Sequence, residues 1–185
     1  RPAFIQEGIR RMYQEQEDIF YYLTIGNENY AHPAMPKGVE EGIIRGMYKL
    51  KGHRTDKGQL KVQLFGSSSI LHEVLKAQEI LAETFNVSAD VWSVTSYKEL
   101  RRDALEIERW NMLHPDKRSK KPYITKMMEK ADGPIIAASD YMKSLPDMVR
   151  PWVPEDMLSL GTDGFGRSDS REALRRHFEV DAESI

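Results

Sequence analysis

A chain of 185 residues with 40% hydrophobic side chains carries enough apolar material for a real core, so it is not disordered throughout; its length suits one domain with an appended segment. A net charge of −2 gives no general attraction for nucleic acid or an anionic membrane, and no apolar run approaches the roughly 20 residues of a membrane span. The lack of cysteine excludes disulfides, thiolate catalysis and cysteine zinc sites, and is compatible with a reducing compartment.

The opening RPAFIQEG has neither an initiator methionine nor a signal peptide's apolar stretch, so the chain reads as an excerpt that starts inside a longer protein. Residues 1–17 read as a helix with Ile5, Ile9, Met12 and Tyr13 on one face. Residues 18–25, DIFYYLTI, are dense in aromatic and β-branched side chains and predict a strand covered on both sides. NENYAHPAMPKG is an irregular connector. A domain boundary is expected here, with residues 1–38 ending one domain and 39–185 forming the next.

Residues 39–50 predict a short helix through Ile43, Ile44, Met47 and Tyr48, and GHRTDKGQ a polar turn. The organising stretch is 61–85. Val62 and Leu64 alternate as in a buried strand, Gly66 to Ser69 break it, and Ile70, Leu71, Val74, Leu75, Ala77, Leu81 and Phe85 recur at helical intervals. Strand, tight turn and amphipathic helix make the front half of a βαβ unit. A serine hydroxyl here can cap the helix, and the helix N–H groups offer an anion site; the turn lacks GxGxxG and GxxxxGK[ST].

After a turn over 86–90, DVWSV (90–94) predicts a second strand. Thr95 or Ser96 caps a helix over 97–111, with Glu99 as its box partner, and HPDKRSKKP is a basic surface loop. A helix over 123–130, an interior strand over 134–138 and a helix from Asp140, started or kinked near Pro146, come next. MLSL (157–160) is a further strand, and a last helix covers 170–178; the DAESI tail begins another, with Asp181 as its cap. Four strands alternating with helices predict a mainly parallel sheet covered on both faces. Right-handed crossovers then bring the turns at 66–69, 95–96, 139–140 and 161–168 to one edge.

GTDGFGRS places three glycines within six residues around Asp163, with Arg167 after them. It reads as a strained loop, as a contact surface for another domain or subunit, or as a phosphate loop; no lysine comes after it, and Asp163 and Asp169 oppose an anion. Candidate edge contacts are Ser67, Ser68, Ser69, Asp140, Asp163, Phe165, Arg167, Ser168 and Asp169. Five histidines show neither HExxH nor an i, i+4 pair, GSSSI is not a GxSxG elbow, and the basic runs lack interleaved aromatics. Metal, hydrolase and nucleic-acid readings are therefore set below structural ones.

FYYLTIGNENYAHPAMPKG, SVTSYKELRRDALEIERWNMLHP, ASDYMK and LGTDGFGRSDSREALRRHFEVDAESI together resemble the homodimeric first component of the bacterial pyruvate dehydrogenase complex, an enzyme of the transketolase class. The resemblance implies a three-layer α/β/α domain on a five-stranded, mostly parallel sheet with one antiparallel strand, truncated before the family's final helices. It leaves an apolar face for another partner. It implies a cytoplasmic enzyme, linked to glycolysis, that decarboxylates pyruvate on thiamine diphosphate held through Mg²⁺. The acetyl unit then passes to a lipoyl group of the dihydrolipoyl acetyltransferase component. The diphosphate motif, the activating glutamate and the active-site histidines precede this stretch in the family. No catalytic, cofactor-binding or metal residue is therefore assigned here, and the chain is expected to be inactive alone. Expected partners are the enzyme's other domains, a second protomer and the acetyltransferase. Ser68 stands where many members carry glycine, which implies that no left-handed residue is required there. The alternatives are a module that docks the acetyltransferase through Lys117, Arg118, Lys120 and Lys121, and a doubly wound nucleotide-binding domain.

Overall fold

The first segment forms helix α1 (Pro2–Ile9), continued by a wider π turn over Arg10–Gln14. This is the computed structural model of the chain, describing residues 2–26, 28–52 and 60–185. The polar turn expected at 52–59 lies almost wholly outside the described residues. Ion pairs Arg10–Glu7 and Arg11–Glu17 brace the segment. The strand expected over 18–25 does not form. An extended segment becomes a strand when a neighbouring backbone takes its N–H and C=O groups, and among the described residues no strand lies beside it. Its side chains lack cover as well: Phe20 and Tyr22 are 86% and 84% exposed.

Gly46 cuts the run expected as one helix over 39–50. Helix α2 spans Glu40–Arg45 and ends on Gly46 at φ 107°, whose N–H bonds the Gly42 carbonyl. Glycine suits this left-handed cap, because a Cβ there would lie 2.5 Å from the Ser96 carbonyl oxygen. The chain then enters strand β1 (Met47–Lys51). Met47 and Tyr48, helical by spacing, instead pair antiparallel with Val94 and Ser93.

Strands β2 (Lys61–Gly66), β3 (Ser88–Val94), β4 (Ile135–Ala138) and β5 (Met157–Leu160) complete a sheet of order β1-β3-β2-β4-β5. All pairings are parallel except β1 with β3. The antiparallel strand implied by the resemblance is thus β1. Side chains alternate across the sheet. Phe65, Trp92, Ile135 and Ala137 face helices α4 (Tyr97–Leu113), α5 (Tyr123–Met128) and α6 (Ser144–Asp147). Leu64, Val91 and Ala138 face helix α3 (Leu71–Phe85) and the C-terminal Phe178 and Val180. Two cores and one sheet give the three layers.

The helix expected from Asp140 is shorter than its spacing suggests. It starts at Ser144, with Pro146 in its first turn, where the missing N–H has no partner to lose. Cover is thinner at the β5 edge: Leu158 is 56% exposed beside partly buried Ile136 and Leu160. An apolar strip therefore remains open on the α3 side of the sheet. No described helix is long and apolar enough to cross a membrane.

Candidate functional site

The parallel register aligns Gly66 with Ser93 and Ala138, and Ala138 with Leu160. The turns after β2, β3, β4 and β5 therefore share one sheet edge, as the alternation of strands and helices requires. Small polar residues stitch this edge. The buried Ser67 Oγ donates to Ser139 Oγ at 3.0 Å, which also accepts from the Tyr141 N–H at 3.1 Å. Ser69 Oγ donates to Asp140 Oδ2 at 3.1 Å. Thr162 Oγ1 donates to the Asp140 carbonyl at 3.0 Å, and Asp163 Oδ1 accepts from the Lys143 N–H at 3.0 Å. Gly161 lets the last two turns touch: a Cβ there would lie 2.5 Å from the Tyr141 carbonyl oxygen and 2.8 Å from the Lys143 nitrogen.

Two expectations about the serine turn fail. Ser68 has φ 51°, so a left-handed residue is required where none was expected. It opens a single 3-10 turn, Ser68–Ile70, placed between strand and helix, and a non-glycine residue there costs on the order of 1 kcal/mol. Ser67 does not cap the helix, because its hydroxyl is directed to Ser139 across the edge. Cap chemistry appears one turn along the edge: Ser96 Oγ accepts from the Glu99 N–H at 3.1 Å and starts α4. The Glu99 carboxylate, expected to complete the box, is held by Arg102.

The candidate residues divide into two groups. Ser67, Ser69, Asp140 and Asp163 meet at the edge through the bonds above. Ser68, Phe165, Arg167, Ser168 and Asp169 lie outward of it, all exposed, Phe165 by 96%. Asp169 Oδ1 accepts from the Ser170 N–H at 2.7 Å, and Ser170 Oγ caps helix α7 (Arg171–His177) through the Ala173 N–H at 3.2 Å. Asp140 Oδ1 is buried without a hydrogen-bond partner beside the start of α3. A carboxylate in that position opposes an anion, which weighs against phosphate at the serine turn.

A second constellation escaped the sequence reading. A cleft of about 530 Å³ is lined by Glu28 and Tyr30 of the connector, Glu73 and Lys76 of α3, and Arg171 and Arg175 of α7. Glu73 is 6% exposed and pairs with Arg175 at 3.0 Å and Lys76 at 3.1 Å, while accepting from the Ala182 N–H at 3.3 Å. The available signal was a carboxylate on the apolar stripe of α3, between Ile70 and Val74. Tyr30 stacks on His72 at 5.2 Å, and its hydroxyl accepts from Arg175 at 3.1 Å. Burial, helped by the nearby His32 and Arg175, holds the His72 imidazole below its usual pKa. Among the described residues, no three His, Asp or Glu side chains are grouped to hold a metal ion.

Residues 46–181 match the family model for the transketolase-like TK C-terminal domain, and residues 2–33 match the pyruvate dehydrogenase E1 component middle domain. The chain is 54% identical over 180 residues to a pyruvate dehydrogenase E1 component of Pseudomonas aeruginosa, covering 97% of this chain and 20% of that protein. It is 55% identical over 185 residues to the protein of the same name from Escherichia coli K12, covering 99% of this chain and 20% of that one. The chain thus spans about a fifth of the length of the curated relatives it matches. Among solved structures, a transketolase from Leishmania mexicana superposes with a TM-score of 0.49 at 16% identity, over 79% of this chain and 18% of that chain.

Proposed function

Because the chain belongs to the family of transketolase-like C-terminal domains, we propose that it is the C-terminal scaffold of a pyruvate dehydrogenase E1 component, preceded by the end of that enzyme's middle domain. The identity of more than half, sustained over nearly the whole chain, carries this reading. In the proposal the domain boundary falls at residue 38/39, between the two matched segments. Exposed Phe20, Tyr22 and Ile25 pack against the rest of the middle domain, which also supplies the missing strand partners.

The whole enzyme decarboxylates pyruvate on thiamine diphosphate and passes the acetyl unit to the lipoyl group of the acetyltransferase. It works as a cytoplasmic homodimer within the multienzyme complex, with no role for nucleic acid or membrane. Thiamine diphosphate supplies the electron sink for that chemistry when bound. The residues present here do not fit it. A magnesium diphosphate needs several oxygen ligands on the metal, and among the described residues no three Asp, Glu or His side chains are grouped to supply them. No step is therefore routed through this chain. Its part is to hold the outward loop, Ser68 and Phe165 to Asp169, against domains that build the reaction centre.

A second reading, a docking surface for the acetyltransferase, draws on the basic loop. Asn111 clamps that loop through Lys120, its Oδ1 accepting from the Lys120 N–H at 2.8 Å and its Nδ2 donating to the Lys120 carbonyl at 2.9 Å. Reversing the charges of Lys117, Arg118, Lys120 and Lys121 then weakens complex assembly; unchanged assembly rejects it. The scaffold reading is tested by assaying this chain for pyruvate decarboxylation with thiamine diphosphate and Mg²⁺, alone and with the preceding domains supplied in trans. Activity is expected only after addition, and turnover by the chain alone overturns the proposal.

A further inference from the structure

Residues 28–32, at the end of the segment matched by the middle-domain model, do not hang free. Glu28 pairs with Arg171 at 2.6 Å, and Tyr30 lies between the His72 ring and the Arg175 guanidinium. His32 lies 5.7 Å from His72, centroid to centroid. Residues 28–32 thus form a strap from α3 to α7. The His72 ring is the centre of this packing, and its Nε2 is buried with no hydrogen-bond partner. A neutral imidazole tolerates that position; an imidazolium there carries a buried N–H with no acceptor.

We propose that residues 28–32 are a pH-sensitive strap, closed over α3 and α7 while His72 is neutral and released when His72 takes up a proton. The groups around His72 set the sign. Nearest the ring are Tyr30 and His32 of the strap, Glu73 and Lys76 of α3 and Arg175 of α7; Glu28, Arg171, Glu172, Arg176, Asp181 and Glu183 line the adjoining cleft. Among the groups nearest the ring, Glu73 favours a charged His72, and its two oxygens are already committed to Arg175, Lys76 and the Ala182 N–H. Glu28 is committed to Arg171. His32, Lys76 and Arg175 oppose the charge, in the same direction as burial. A group depressed in the closed state takes its proton first in the open state. The strap is therefore closed above the ordinary imidazole range and opens as pH falls through and below it.

The test is hydroxyl-radical footprinting of the full chain, followed by mass spectrometry, with oxidation of the partly buried Tyr30 read relative to the exposed Tyr22. Relative oxidation of Tyr30 is expected to rise about twofold between pH ~7.5 and pH ~5 in the wild type and to stay flat in His72→Phe, which keeps the ring stack without the proton. Equal oxidation at both pH values, or the same rise in His72→Phe, overturns the proposal. So does a rise abolished by His32→Gln but kept in His72→Phe. If His72→Phe does not fold, the wild-type imidazole C–H resonance of His72 decides. Its titration must share the midpoint of the oxidation change, and a separate midpoint overturns the proposal.

Discussion

Removing the charge from Glu73 should loosen the C-terminal end of the chain from α3. Glu73 and Arg175 have side chains 8% and 18% exposed, at 3.0 Å, so both are largely withdrawn from water. Breaking a buried pair from one side costs about 3–5 kcal/mol because the partner stays behind uncompensated. Two features reduce that figure. Arg175 keeps some contact with solvent and the Tyr30 hydroxyl, and Gln at position 73 retains an acceptor for the Ala182 N–H. Lys76 is 63% exposed, and its share is small. The expectation for Glu73→Gln is a loss of about 2 kcal/mol, hence a fall in Tm of roughly 4–8 °C for a chain of this size. Urea denaturation and thermal melts measure it. Removing both charges in Glu73→Met/Arg175→Met should recover most of the loss, since packed apolar side chains can replace a buried ion pair. A loss below about 0.5 kcal/mol for Glu73→Gln, or a double variant as unstable as the sum of its singles, would refute the reasoning.

Tyr97 is buried, its hydroxyl lacks a hydrogen-bond partner, and burial pushes its pKa up. Tyr97→Phe should therefore leave stability unchanged or raise it by up to about 1 kcal/mol in urea denaturation; a clear loss contradicts the assignment. Gly161→Ala should cost more than about 2 kcal/mol, because backbone of the neighbouring turn must move to admit the methyl. It should also raise exchange in residues 139–143, and a neutral result shows that the turns are not pressed together. Phe20→Ser with Tyr22→Ser should reduce self-association in sedimentation and leave the urea midpoint of the sheet domain in place. A large drop in that midpoint means that these rings are buried.

The parallel core was legible because its strands are short apolar runs closed by small residues, and Ile135 to Ala138 lie where an interior strand should. Strand β1 was hidden because Ile43, Ile44, Met47 and Tyr48 satisfy a helical period up to a glycine whose φ is invisible in the sequence. The segment 18–25 has strand composition without a neighbour, and composition reports propensity rather than pairing. At the sheet edge the structure brings Ser67, Ser69, Asp140 and Asp163 together, on the edge that the alternation of elements predicts for these turns. What it could not supply was direction: serines that look like caps bond laterally to the next turn, and Ser68 takes the backbone expected of glycine. The Glu73–Arg175 pair joins α3 to α7 across a separation that periodicity does not see.

The central claim is that this chain is a folded scaffold whose cofactor chemistry is completed by other domains. Isothermal titration of thiamine diphosphate with Mg²⁺ into the purified chain tests it most directly. The expected result is no binding heat from the chain alone and saturable binding once the preceding domains are present. Micromolar binding by this chain alone would contradict the account.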